Sequence, residues 1–163
     1  MARRREAAGT PATTTLTRLG VAYELHPYEH DPAAPSYGLE ASQALGVPPA
    51  HVFKTLLVQG ERGLAVGVVP VDRTLDLKAV AAALGLKKVT MADPAAAERS
   101  TGYVVGGISP VGQKRPLPTV VDASALDFAS VYVSGGRRGL DVELAPSDLV
   151  SLTSATAASI GKL

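Results

Sequence analysis

Residues 52–70 read VFKTLLVQGERGLAVGVVP. Two apolar runs rich in β-branched residues, Val52 to Gln59 and Leu64 to Val69, are separated by the turn formers Gly60-Glu61-Arg62-Gly63. That pattern predicts a β-hairpin with a four-residue connection. In the first run Lys54 shares a side-chain face with Val52, Leu56 and Val58, because successive residues of a strand point to opposite sides. An ammonium on an apolar face is costly unless it is paired. Two readings fit: an edge lysine whose stem reaches out to water, or an anion-binding or catalytic lysine in a cleft.

Outward from the hairpin, short helices and further strands interleave. Thr10-Pro11 gives a cap with proline at the first helical position, for a helix over Ala12 to Leu19 closed by Gly20. Val21 to Tyr28 reads as a strand, and Ser36 to Leu45 as a helix stopped by Gly46 and the prolines at 48 and 49. After the hairpin, Asp76 caps a helix over Leu77 to Leu84, whose Leu77, Val80, Ala81 and Leu84 form one stripe. Asp93-Pro94 opens another helix that ends near Thr101-Gly102, and a glycine-containing loop follows from Gly102 to Pro118. Thr119 to Asp122, Ser130 to Ser134 and Leu140 to Ala145 supply strands, the last two joined across Gly135-Gly136-Arg137-Arg138-Gly139. Pro146 to Leu152 reads as a closing helix, and Thr153 to Leu163 as a peripheral tail. Helices and hairpins do not alternate strictly as strand, helix, strand, so the pattern predicts one α+β domain with a mixed sheet.

Composition narrows the function. The chain has 163 residues, 46% of them hydrophobic, enough for one core. The longest apolar runs, Leu64 to Val71 and Ala79 to Leu86, are eight residues each, against the ~20 that cross a bilayer. No membrane partner is expected. Residues 1–9 carry three arginines, Arg3 to Arg5, with no apolar stretch behind them, and read as a flexible basic extension rather than a secretory signal; the cytoplasm is the expected compartment. With no cysteine, the chain has no disulfide, thiolate metal site or catalytic thiol of its own. A net charge of +1 gives no global field for a polyanion, and seven aromatic residues are few for a surface that stacks single-stranded bases. DNA is not an expected partner.

Several clusters invite chemistry. Gly107 and Gly112 have the separation of a phosphate-binding P-loop, but Gln113 stands where its lysine belongs, and Pro116 and Pro118 prevent the following helix. What remains in Gly106-Gly107-Ile108-Ser109-Pro110 is a backbone open to close approach, with amides to offer an oxyanion or a phosphate. Asp141 and Glu143 share one strand face; Asp141 can orient Lys54 or a substrate amine or hydroxyl, and otherwise the face is solvated. Arg137 and Arg138, at the hairpin tip, are possible phosphate contacts or ordinary solubilising charges. His26, Tyr28, Glu29, His30 and Asp31 cluster at a strand end, but Pro27 breaks any helical ligand spacing and no distant set completes it, so no metal is expected. Tyr28 suits the wall of a pocket, and His51 is isolated. No G-x-S-x-G elbow or paired His and Asp supports a serine nucleophile.

Thr10-Pro11-Ala12, Tyr28-Glu29-His30-Asp31-Pro32, Phe53-Lys54-Thr55-Leu56-Leu57-Val58, Leu75-Asp76-Leu77-Lys78, Met91-Ala92-Asp93, Arg99-Ser100-Thr101-Gly102-Tyr103, Gly106-Gly107-Ile108-Ser109-Pro110 and Tyr132-Val133-Ser134-Gly135-Gly136 form an ordered series. In order and spacing it resembles the YbaK family of Cys-tRNA(Pro) deacylases, relatives of the editing domain inserted in prolyl-tRNA synthetases, over about Thr10 to Leu152. The resemblance implies a barrel-like mixed sheet flanked by short helices, filling residues 10–163. It implies a free-standing enzyme without a cofactor that removes cysteine from the 3′ end of mischarged tRNA(Pro) beside prolyl-tRNA synthetase, with the substrate's own thiol attacking its ester to give a thiolactone. The family's essential lysine falls on Lys54, its pocket tyrosine on Tyr28, its G-x-x-x-P loop on Gly106 to Pro110 and its strand aspartate on Asp141. Two other expectations stand beside it: a deacylase tuned to alanyl or seryl esters through activated water, and a non-catalytic module of the same fold that binds a tRNA end or a synthetase. Departures from the family pattern lie before Thr10, at the Gly60 to Gly63 turn and after Leu152.

Overall fold

The computed structural model describes residues 9–163; the Arg3 to Arg5 segment of the expected extension lies outside the described residues. The central hairpin pairs β2 (Phe53–Gly60) with β3 (Gly63–Pro70) in antiparallel register from Phe53↔Pro70 to Gly60↔Gly63. The ladder therefore runs through both glycines, and the connection is two residues, Glu61 and Arg62, rather than the expected four. β3 is flanked in parallel by β6 (Thr119–Asp122), and β6 in parallel by β9 (Thr156–Ala158). On the other side β5 (Val89–Met91) pairs antiparallel with β2, but only over Val58 to Gly60. A mixed five-stranded sheet in the order β5-β2-β3-β6-β9 results. Among the described residues no strand pairs with the other edge of β2 from Phe53 to Leu57, where Leu57 O accepts from the Ala92 amide at 3.0 Å just past β5.

A second sheet is antiparallel, β1 (Tyr23–Pro27) beside β8 (Leu140–Leu144) beside β7 (Val131–Arg137). A parallel bridge, Val52↔Tyr132, links the two sheets, and β4 (Thr74–Leu75) pairs with β10 (Gly161–Lys162) in a third, two-stranded ladder. The α+β class and the barrel-like mixed sheet match the expectation, the strands of the described residues falling into three sheets. Among the described residues five α-helices flank them: α1 (Pro11–Arg18), α2 (Tyr37–Leu45), α3 (Leu77–Leu84), α4 (Pro94–Thr101) and α5 (Pro146–Thr153). Thr10, Ser36, Asp76 and Asp93 cap the first four through their side chains, each satisfying one otherwise orphaned amide. Among the described residues no helix is long and apolar enough to cross a membrane.

One buried cluster joins Phe53, Leu57, Val66 and Val68 of the hairpin to Val131, Val133 and Val142 of the second sheet, with Leu16 and Leu149 from α1 and α5. A second packs Val80 and Ala81 of α3 on Val58, Val69 and Val120. The tail is not the peripheral segment that its residue pattern suggests: Ile160 is fully buried in that second cluster. The carboxylate of Asp122 accepts from the amides of Ile160 and Gly161 at 2.8 and 2.9 Å, stitching the tail to the end of β6.

Candidate active site

This open stretch of the β2 edge forms one wall of a cavity of about 370 Å³, a size that takes a ligand larger than a free amino acid. Lys54, Tyr28, Asp141, Gly106 and Ile108 all line it. These come from β2, the end of β1, β8 and the loop after α4, so the site exists only once both sheets have met. Gly107, Ser109 and Pro110 are not among the lining residues. They lie behind the loop, where Ser109 Oγ accepts from the Val111 amide at 3.2 Å and an added Cβ on Gly107 would stand 2.8 Å from Arg137 Cα.

Lys54 is half-buried, has no carboxylate within ion-pair distance among the described residues, and is shifted below the usual lysine range by burial, the charge of Asp72 partly offsetting it. Lys54 stands at once on the edge of β2 and in the cavity lining. Asp141 is 5% exposed; its backbone pairs with β1 and β7, while its carboxyl makes no hydrogen bond to the side chains or amides of the described residues. Burial alone pushes its carboxyl up to about 7. Tyr28 is pushed up to about 12 by burial and by the neighbouring carboxyls of Asp141 and Glu40, so it stays a neutral hydroxyl at the wall. Thr55 Oγ1, also at the lining, is buried without a hydrogen-bond partner. Buried polar groups of this kind are normally satisfied, and a polar ligand would satisfy them here.

The Asp141 shift gives a pH-dependent stability. Its folded value lies above the ordinary 3.8, so the folded state holds the proton more tightly and Asp141 destabilises the fold progressively as pH rises from about 4 through about 7. Asp141→Asn therefore gains stability relative to the parent over that window, by at most about 4 kcal/mol. Paired thermal melts at pH 4.5 and pH 8 check it: the asparagine variant's advantage must be larger at pH 8, and an advantage that does not grow with pH contradicts the assignment.

The strand-end cluster read from the sequence divides. His26 Nε2 is 2.9 Å from Glu143 Oε1, His30 Nδ1 is 2.8 Å from Glu40 Oε1, and the Asp31 amide donates to Glu40 at 2.6 Å. Glu24, His26 and Glu143 form the one grouping of potential metal ligands among the described residues, outside the cavity. Glu143 is already occupied there, accepting from Ser130 Oγ as well. His51 packs edge-on against Phe128 with centroids 4.0 Å apart.

Two contributors escaped sequence reasoning. Tyr37, the first residue of α2, lines the cavity and stacks under the Arg138 guanidinium, 5.0 Å from ring centroid to Cζ. Glu98 of α4 accepts the Val105 amide at 2.8 Å and holds the approach to the loop. A capped helix start gives Tyr37 no functional signature, and Glu98 acts across a turn whose path the residues do not specify. Arg138 donates from Nε to Val105 O at 2.9 Å, and Arg137 Nη1 donates to Arg138 O at 3.4 Å.

The profile of the aminoacyl-tRNA editing domain matches residues 31–152. The chain is 41% identical over 120 residues, 73% of each protein, to EbsC of Enterococcus faecalis, proposed to be a Cys-tRNA(Pro)/Cys-tRNA(Cys) deacylase. It is also 34% identical over 96 residues to a proline–tRNA ligase of Thermotoga maritima, of which the match spans 16%. Among solved structures, a proposed trans-editing enzyme for prolyl-tRNA synthetase superposes with a TM-score of 0.82 at 27% identity, covering 94% of this chain and 96% of that one.

Proposed function

The chain belongs to the YbaK-type aminoacyl-tRNA editing family, and from that premise we propose that it is a free-standing deacylase removing cysteine from mischarged Cys-tRNA(Pro). The cavity supports this reading most directly. Among the described residues it brings together a lysine without an ion-pair partner, a buried carboxyl and a glycine backbone, and none of those lining it is a histidine, so Ser36, Thr55 and Ser134 have no imidazole base there to activate them. Such a site can hold and polarise an ester but does not itself offer a strong nucleophile.

The substrate supplies one. On this reading its thiol attacks its own ester carbonyl: a carbon–sulfur bond forms, the carbon–oxygen bond to the ribose breaks, and the thiol proton ends on the ribose oxygen. The products are a thiolactone and tRNA with a free terminal hydroxyl. Intramolecular attack gains an effective molarity on the order of 10⁵ M or more, reduced by the strain of a four-membered ring. Lys54 binds a phosphate or hydroxyl of the terminal nucleotide. Asp141 takes the substrate ammonium, which draws the carboxyl back to its ionised form, and Tyr28 closes the wall beside it. No cofactor enters this route.

Editing at a second site answers a physical limit, because an apolar pocket separates side chains differing by a methylene by only about 10 to 200-fold. With a net charge of +1, the protein makes few phosphate contacts of its own, and tRNA selection is borrowed from prolyl-tRNA synthetase in the cytoplasm. Incubating the purified protein with Cys-tRNA(Pro) under single-turnover conditions tests the reading: free tRNA accumulates faster than in buffer, and a rate equal to buffer contradicts it.

A further inference from the structure

The loop that enters the cavity begins with a β-turn. Gly107 N donates to Val104 O at 2.8 Å, Gly106 has φ +89°, and Val105 is not at positive φ, which together define a type II turn over Val104 to Gly107. In such a turn the central peptide, here Val105 to Gly106, can rotate to the type I orientation at modest cost, and glycine tolerates both. Its carbonyl and its N–H point in opposite directions because the peptide is trans. Arg138 Nε holds the carbonyl at 2.9 Å, from outside the cavity lining. The Gly106 amide therefore faces away from Arg138, and it donates no hydrogen bond to the described residues although Gly106 lines the cavity.

Arg138 is itself held on two sides. Its guanidinium lies over the Tyr37 ring, and its backbone nitrogen is fixed where Gly107 packs against the hairpin tip. Tyr37 in turn occupies the space where a Cβ on Gly106 would stand, 2.8 Å from the ring carbons Cδ1 and Cε1. Glu98 fixes the preceding peptide through the Val105 amide. Both main-chain groups of Val105 are thus clamped from opposite elements.

We propose that Arg138, steadied by Tyr37, is a positioning residue that locks the Val105–Gly106 peptide so that the Gly106 N–H points into the cavity as the donor for the ester's developing oxyanion. The oxyanion role rests on the deacylase reading; the locking of the peptide does not. Rotation of that peptide would replace the donor with the Val105 carbonyl oxygen, which opposes negative charge. Arg138 then serves the reaction without touching tRNA phosphate.

The test compares Arg138→Met and Tyr37→Leu with the parent on Cys-tRNA(Pro). Loss of one oxyanion donor costs about 10²–10³ in rate, so Arg138→Met slows the saturating single-turnover rate at least about 10-fold. Affinity for tRNA and its salt dependence stay within about twofold, whereas loss of a phosphate contact would weaken binding and flatten the salt slope. Tyr37→Leu slows the same step by less, and the double variant is no slower than Arg138→Met because both act on one peptide. A saturating rate for Arg138→Met within twofold of the parent overturns the proposal. Independently of any activity, a crystal structure of Arg138→Met should show Gly106 at negative φ; a type II turn unchanged there overturns the lock. An inactive parent with a rotated turn in the variant would refute the substrate assignment and leave the lock standing.

Discussion

Lys54→Ala or Lys54→Met lowers single-turnover deacylation by at least about 10²-fold while the fold keeps its stability. The rate effect follows from removing the half-buried cation that lines the cavity. The stability effect has the opposite sign. Burial holds the Lys54 ammonium below its ordinary range, so the folded state binds its proton less tightly than the unfolded chain, and the charge costs stability at neutral pH that returns as pH rises toward the alkaline range. A methionine fills the same stem volume without that cost, and its melting temperature at pH 7 matches or exceeds the parent's. Full activity in Lys54→Ala would remove Lys54 from the site, and a collapsed fold would assign it to structure.

Gly107→Ala acts in the reverse manner, damaging both readouts. A Cβ at this position would stand 2.8 Å from Arg137 Cα and 2.9 Å from Arg137 C and Arg138 N, all backbone atoms of the hairpin tip. A flexible side chain could yield, but two main chains cannot separate without moving the loop. Overpacking of this kind costs about 2 kcal/mol, or about 4–8 °C in melting temperature for a domain of this size. The displaced loop carries Gly106 with it, and a shift of about 1 Å at a reacting centre can cost about 10²-fold in rate. Thermal melts and single-turnover assays read both effects together; an alanine variant with unchanged melting temperature and rate would show that the close approach has no consequence.

The hairpin, the helix caps and the lysine were legible because each rests on local chemistry. The alternation of Lys54 with Val52, Leu56 and Val58 needs only strand geometry, and Asp76 and Asp93 cap their helices as their spacing requires. Strand ends fared less well. β7 continues through Gly135 and Gly136 to pair Arg137 with Leu140 across a register shift, so the turn is Arg138-Gly139 and not the whole five-residue stretch. Thr156–Ala158 and Gly161–Lys162 have no alternation to read; they are strands because β6 and β4 offer them free edges and Asp122 pins the chain between them.

The site shows the same division. Lys54, Tyr28 and Asp141 stand out by residue type, and the resemblance to the editing family selected them from several charged candidates. Tyr37 and Glu98 do not, since their importance lies in what they hold: Tyr37 the guanidinium of Arg138, Glu98 the amide of Val105. Such roles depend on long-range contacts between the helices and the hairpin tip that sequence spacing does not encode. Arg138, read from the sequence as a possible phosphate contact, is engaged with the loop backbone.

In the proposed reaction the substrate thiol is the nucleophile. Single-turnover deacylation of Cys-tRNA(Pro), Ser-tRNA(Pro) and Ala-tRNA(Pro) by the same preparation tests it most directly, because serine keeps the size and the hydrogen-bonding side chain of cysteine but lacks its thiol. Cysteine is released and the seryl and alanyl esters persist as they do in buffer. Release of serine or alanine as fast as cysteine would contradict thiol assistance and place an activated water in the cavity instead.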